Sequence, residues 1–109
     1  MTARLLMFAR ERTCADQEAA RLCLERLGVQ PIEINISRDR EAAQMLLDWV
    51  GALAVPTFVV ADEDGQPISP PLPLNDGQSI RNFDRGSIIS EPNFGTLRTF
   101  LARHGFLAR

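Results

Sequence analysis

Few residues of this 109-residue chain carry chemistry that could act on another molecule, and the most suggestive stand together: Arg10-Glu11-Arg12-Thr13-Cys14-Ala15-Asp16-Gln17. The stretch follows an apolar run, Leu5 to Ala9, and leads into a helical pattern that continues to Leu27. A cysteine at such a junction faces the unpaired N–H groups of a helix's first turn. Those groups and the helix dipole favour an anion, so a thiol held there is a candidate nucleophile. Arg10 and Arg12 add positive charge around Cys14, while Glu11 and Asp16 subtract from it. Thr13 with Asp16 three places later has the spacing of a capping box, with Asp standing for the usual Glu or Gln. The competing role for Cys14 is that of a small buried hydrophobe.

The second cysteine reads differently. Ala20, Cys23, Leu24 and Leu27 recur at helical spacing, which places Cys23 on the buried stripe. Nine residues along one helix set Cys14 and Cys23 about 13 Å apart along its axis. A disulfide needs Cα atoms within about 7 Å, so these two cannot pair while the helix is intact. His104 is the one histidine, and with so few ligands no metal site is expected.

The elements that would position Cys14 follow from apolar periodicity. Leu5 to Ala9 is the unbroken apolar run of a central strand buried on both faces. Gly28 suits the end of the first helix. Ile32-Glu33-Ile34-Asn35-Ile36 alternates strictly and predicts a strand near a sheet edge. Ser37 or Asp39 caps a second helix, whose apolar surface runs from Ala42 to Val50, with Trp49 as a packing residue. Phe58 to Ala61 is a third strand, introduced by Ala54-Val55-Pro56-Thr57. After the turn Asp62-Glu63-Asp64-Gly65, residues Gln66 to Ile68 could return antiparallel. The proline-rich stretch 69–85 keeps no period and reads as an inserted surface loop. Gly86 to Ser90 is a last short strand, and Ser90 with Pro92 opens a final helix carrying Leu97, Phe100, Leu101 and His104.

Strand–helix–strand units call for parallel neighbours, and a tight turn after Ala61 for an antiparallel pair. The expected fold is therefore α/β, a four-stranded mixed sheet flanked by about three helices. Composition agrees with one globular domain over residues 1–109, with hydrophobic content of 45% and charged content of 24%. A net charge of -2 gives no attraction to nucleic acid or an anionic membrane surface. No apolar run approaches the roughly 20 residues that span a bilayer, and no secretory leader pattern stands at Met1. A cytoplasmic location is the resulting expectation. No pattern selects an oligomeric state.

Thr13-Cys14 opening a helix, Val55-Pro56-Thr57 opening the third strand, and the spacing between them resemble the glutaredoxins. The likeness covers roughly Leu5 to Ile68 and the last helix. It implies a thioredoxin-like fold in which Pro56 is cis and faces Cys14. It also implies that Val55 offers its backbone to an extended, sulfur-bearing substrate such as glutathione, by strand addition. Arg12, Thr13, Val55, Pro56 and Thr57 would then form the substrate-binding set around catalytic Cys14. The chain departs from the family pattern in three places. Gln17 stands where a second cysteine or a serine is usual, Glu11 replaces a basic residue, and the Gly-Gly turn after the last strand is missing.

Two functions of different class remain. One is single-cysteine thiol–disulfide exchange with a disulfide-bearing protein or a low-molecular-weight thiol such as glutathione, with no tightly bound cofactor. The other is a redox-silent module that binds a protein partner. The stretch 69–85 discriminates between them, because a loop covering Cys14 would block large substrates.

Overall fold

Five successive apolar residues can be sheltered only in the middle of a sheet, and β1 (Arg4–Ala9) lies there, buried from Leu5 onward. The computed structural model describes residues 3–107; the ends of the expected 1–109 domain lie outside the described residues. β2 (Ile32–Asn35) flanks β1 on one side, and β3 (Thr57–Ala61) followed by β4 (Ile88–Ser90) on the other. Three helices, α1 (Ala15–Leu27), α2 (Arg40–Val50) and α3 (Phe94–Arg103), complete the α/β architecture.

Alternation along β1 divides the core. Leu5, Met7 and Ala9 meet Ala20, Cys23 and Leu24 of α1 and Leu97, Phe100 and Leu101 of α3. Leu6 and Phe8 point the other way, toward Ala42, Leu46 and Val50 of α2. Trp49 sets its ring edge against Phe8, with centroids 5.8 Å apart. Gly28, at φ 69°, ends α1 in a left-handed turn. Its N–H donates to the Glu25 carbonyl, and that of Val29 donates to Leu24. Such a turn satisfies carbonyls the helix would otherwise leave open.

The strand pairing differs from the sequence expectation. β1 and β2 are parallel, but β3 lies beside β1 rather than β2 and runs antiparallel to it. The antiparallel partner of β3 on its other side is β4, reached through the long stretch 69–85 and not through the tight turn. Gln66 to Ile68 contributes only an isolated bridge, Ala61 to Pro67. Pro67 has no N–H with which to extend a ladder, which accounts for its brevity.

Two caps also move. Asp39 caps α2, accepting from the Ala42 N–H at 3.0 Å. Ser90, however, does not open α3; it is the last residue of β4 and is buried. Asn93 caps α3 instead, its side chain accepting from the Thr96 N–H at 2.9 Å. The stretch 69–85 holds none of the four strands, and its first part is largely exposed. Its second part is not a free loop. Ile80 packs on the core beside α2, and the Asn82 N–H donates to the Ser90 carbonyl at 2.8 Å.

Candidate active site

The register of the sheet gathers distant segments at one end. Phe8 pairs with Thr57, and Thr57 with Ser90. The chain leaving β1, the chain entering β3 and the chain leaving β4 therefore share one rim. Residues 10–14, Val55-Pro56 and Glu91 all lie on it.

Cys14 is the N-cap residue of α1, in extended conformation, with no side chain capping the helix. Its carbonyl accepts the first helical bond, from the Glu18 N–H at 3.0 Å. The thiol is exposed and free. It therefore stands at the positive end of the helix dipole with no hydroxyl or carboxylate competing for the first-turn N–H groups. The expected capping box does not form. Thr13 is exposed, its hydroxyl 3.5 Å from the Cys14 carbonyl, and Asp16 is drawn away by a cation from elsewhere.

That cation is Arg81, which grips Asp16 through its two terminal guanidinium nitrogens at 2.7 and 2.9 Å. The hydrogen bond from Arg81 holds the Asp16 carboxyl below its usual range. Glu11, the other nearby acid, is paired with Arg38. Arg10 turns aside to donate to the Leu53 carbonyl at 3.0 Å. Arg12 is exposed and forms neither a hydrogen bond nor an ion pair with any described residue. So both acids that flank Cys14 are neutralised, while one flanking cation stays unengaged.

Gln17, where a second active-site cysteine would stand, is fully buried. Its amide closes a two-way clasp on Arg10, accepting from the N–H and donating to the carbonyl, each at 2.9 Å. This clasp fixes the 10–14 loop to the first turn of α1. From sequence alone Gln17 stands only as a missing thiol. The signal was available, since a primary amide can satisfy one donor and one acceptor of a backbone segment together.

The Val55–Pro56 peptide bond is cis. Val55 buries its side chain in the core beside α2, yet neither its N–H nor its carbonyl is paired with a described residue. The Pro56 carbonyl is taken by the Glu91 N–H at 2.7 Å. Thr57 is buried, and its hydroxyl donates to the Ala54 carbonyl and meets the Ser90 hydroxyl, both at 2.7 Å. Of the three, Val55 alone presents free backbone; Thr57 supports the turn from within.

Cys23 lies on the other side of the same helix, 2% exposed and packed among core residues. Burial pushes its thiol up, against a smaller opposing pull from Arg26. Among the described residues no group of three or more His, Cys, Asp or Glu side chains is placed to hold a metal ion. No helix among them is long and apolar enough to cross a membrane.

Comparison with known proteins gives one match by family: the model for glutaredoxin matches residues 5–64, from the start of β1 through β3 and into the following turn. No curated protein and no solved structure matches the chain.

Proposed function

The chain belongs to the glutaredoxin family, and on that premise we propose that it carries out thiol–disulfide exchange through Cys14 alone. The Cys14 thiolate attacks one sulfur of a mixed disulfide. A new sulfur–sulfur bond forms to Cys14, the old one breaks, and the departing thiolate takes a proton from water. A second thiol, of low molecular weight and glutathione-like, then attacks the Cys14 sulfur, leaves as part of a disulfide and restores the free thiol. No tightly held cofactor enters either step. The rate depends on thiolate fraction, nucleophilicity and access.

The observation that carries this reading is the contrast in access: Cys14 is exposed at the α1 N-cap, and Cys23 is buried. Charge supports it, since Glu11 and Asp16 are paired while Arg12 is left near the thiol. The free backbone of Val55 suits an extended partner that adds to it as a strand would. Pro56, Thr57 and Thr13 shape that place without offering an unengaged side chain of their own. The stretch 69–85 leaves Cys14 exposed, which favours exchange over a redox-silent binding module. A reducing compartment such as the cytoplasm would supply the second thiol.

The test is exchange with a peptide–glutathione mixed disulfide. Cys14→Ser should reduce it to the uncatalysed rate. Cys23→Ala should keep it, at a stability cost of about 1 kcal/mol for the lost packing. Full activity in Cys14→Ser would show that the reading is wrong.

A further inference from the structure

Resting on that reading, we propose that Arg81 is a positioning residue for exchange at Cys14, acting as a clamp between the helix that carries the thiol and the turn that supports Val55-Pro56. Arg81 comes from the 69–85 stretch, and its guanidinium serves two carboxylates at once. It holds both oxygens of Asp16, two residues after Cys14, and one oxygen of Glu91 at 2.8 Å. Glu91 in turn donates its N–H to the carbonyl of Pro56. On this side of the site the first turn of α1 is joined to the Val55-Pro56 turn through Asp16, Arg81 and Glu91, while on the other side Gln17 and Arg10 lead to the Leu53 carbonyl.

Three observations make this more than a surface ion pair. First, the backbone around the clamp is itself fastened. Arg81 bridges to Ser90, the Asn82 N–H donates to the Ser90 carbonyl, and the Asn82 side chain accepts from the Asn93 N–H at 2.8 Å. The arginine therefore starts from a fixed point, so bidentate geometry costs less side-chain entropy than it would on a mobile loop.

Second, Asn82 at φ 57° and Glu91 at φ 47° both adopt the left-handed region without being glycine. A residue there persists only where its surroundings hold it, and such residues gather at sites whose geometry matters. Both lie beside the clamp.

Third, the clamp spans an opening. A cleft of about 510 Å³ lies between α1, Arg81-Asn82 and the start of α3, with Asp16, Arg81 and Glu91 on its border. Ala20, Cys23 and Leu97 pack the two sides together along part of this lining, and Asp16, Arg81 and Glu91 join them on its polar border. Among the described residues, the Asp16–Arg81 contact is the one hydrogen-bonded tie between α1 and the β4 side of the sheet. Exchange requires a partner to lie on Val55 while its sulfur meets Cys14, and small errors in such an alignment are costly.

The experiment compares Arg81→Met, Arg81→Lys, Asp16→Asn/Glu91→Gln and the triple variant. Three readouts are taken: exchange with a peptide disulfide per folded molecule, Cys14 alkylation by iodoacetamide, and hydrogen exchange at the Glu91 amide. Arg81→Met should lower exchange by about tenfold. Alkylation, which needs no bound partner, should fall by less than exchange does, since it loses only the neutralisation of Asp16. The Glu91 amide should exchange faster. Arg81→Lys, which keeps the charge but loses the fork, should recover part of the loss. In the Asp16→Asn/Glu91→Gln background, adding Arg81→Met should cost little more, because the clamp is already open.

Unchanged exchange in Arg81→Met would overturn the proposal. So would an equal fall in alkylation, or losses that simply add in the triple variant. If wild-type protein shows no Cys14-dependent exchange, the functional reading fails and the positioning role falls with it. That result is told apart from failure of the clamp by a Glu91 amide that still responds to Arg81→Met.

Discussion

One helix carries both cysteines, and its two regions are built by different physics. At the N-terminus, Cys14 stands in the open among polar ties that arrive from far along the chain: Arg81 to Asp16, Arg38 to Glu11, and Arg10 to Leu53. Further along, Cys23 sits in apolar packing generated by the helix's own stripe and closed by β1 and α3. Identical side chains thus face opposite environments within three turns. The position of the cysteine, rather than its type, decides whether a reagent can reach it.

The sharpest way to break the contrast is differential labelling. An alkylating reagent applied to the folded protein should modify Cys14 promptly, while Cys23 waits for global opening and reacts about a thousandfold more slowly or less. Peptide mapping over time would show the order. Early labelling of Cys23 would mean that the core around α1 opens locally, and the two regions would no longer be distinct.

A next smaller effect concerns the clasp that shapes the open region. Gln17→Ala removes both partners of the Arg10 backbone in a partly buried site. An unpaired donor and acceptor there should cost about 2–3 kcal/mol, measured by urea unfolding. Exchange by the surviving folded protein should also fall, because the 10–14 loop is no longer fixed. A loss below about 0.5 kcal/mol would show that water replaces the amide.

The smallest effect tests the polar ties themselves by pH. Burial works to raise the Asp84 carboxyl, but Arg103 and the Gly86 N–H, with the charges of Arg103 and His104, bring it below its usual range. A carboxyl depressed in the folded state adds stability that is present above its unfolded pKa and is lost as pH falls through the folded value. Asp84→Asn should therefore lower the thermal midpoint by about 3 °C at pH 7, a modest shift because Arg103 is partly exposed. The difference should begin to shrink below about pH 4, near the ordinary aspartate value, and close once the pH is below the depressed folded value. A gap that persists in acid would assign the effect to packing or neutral hydrogen bonds.

The same division explains what could be read from the sequence. The stripe of α1, the apolar run of β1 and the alternation of β2 are local patterns, and each recurs in the structure as an element of the expected type. The family pattern likewise placed Cys14 before α1 and Val55-Pro56 before β3. What sequence reading missed depended on partners far away. Asp16 looked like a capping residue because Arg81, which claims it, lies 65 positions later. Ser90 looked like a cap because three-residue β4 is too short to show a period, whereas Asn93 three positions on has the same capping chemistry. The 69–85 stretch reads as a plain loop because its prolines dominate the pattern and hide the tied segment from Ile80 to Arg85. Backbone pairing and side-chain ion pairs leave no periodic trace, so this half of the site became visible only in three dimensions.

The claim that Cys14 is the single reacting thiol can be met directly by trapping the intermediate. The protein is mixed with a peptide–glutathione disulfide, quenched in acid during turnover and mapped by mass spectrometry without reduction. A mixed disulfide on Cys14, with Cys23 unmodified, is the expected result. An adduct on Cys23, or a Cys14–Cys23 disulfide, would contradict it.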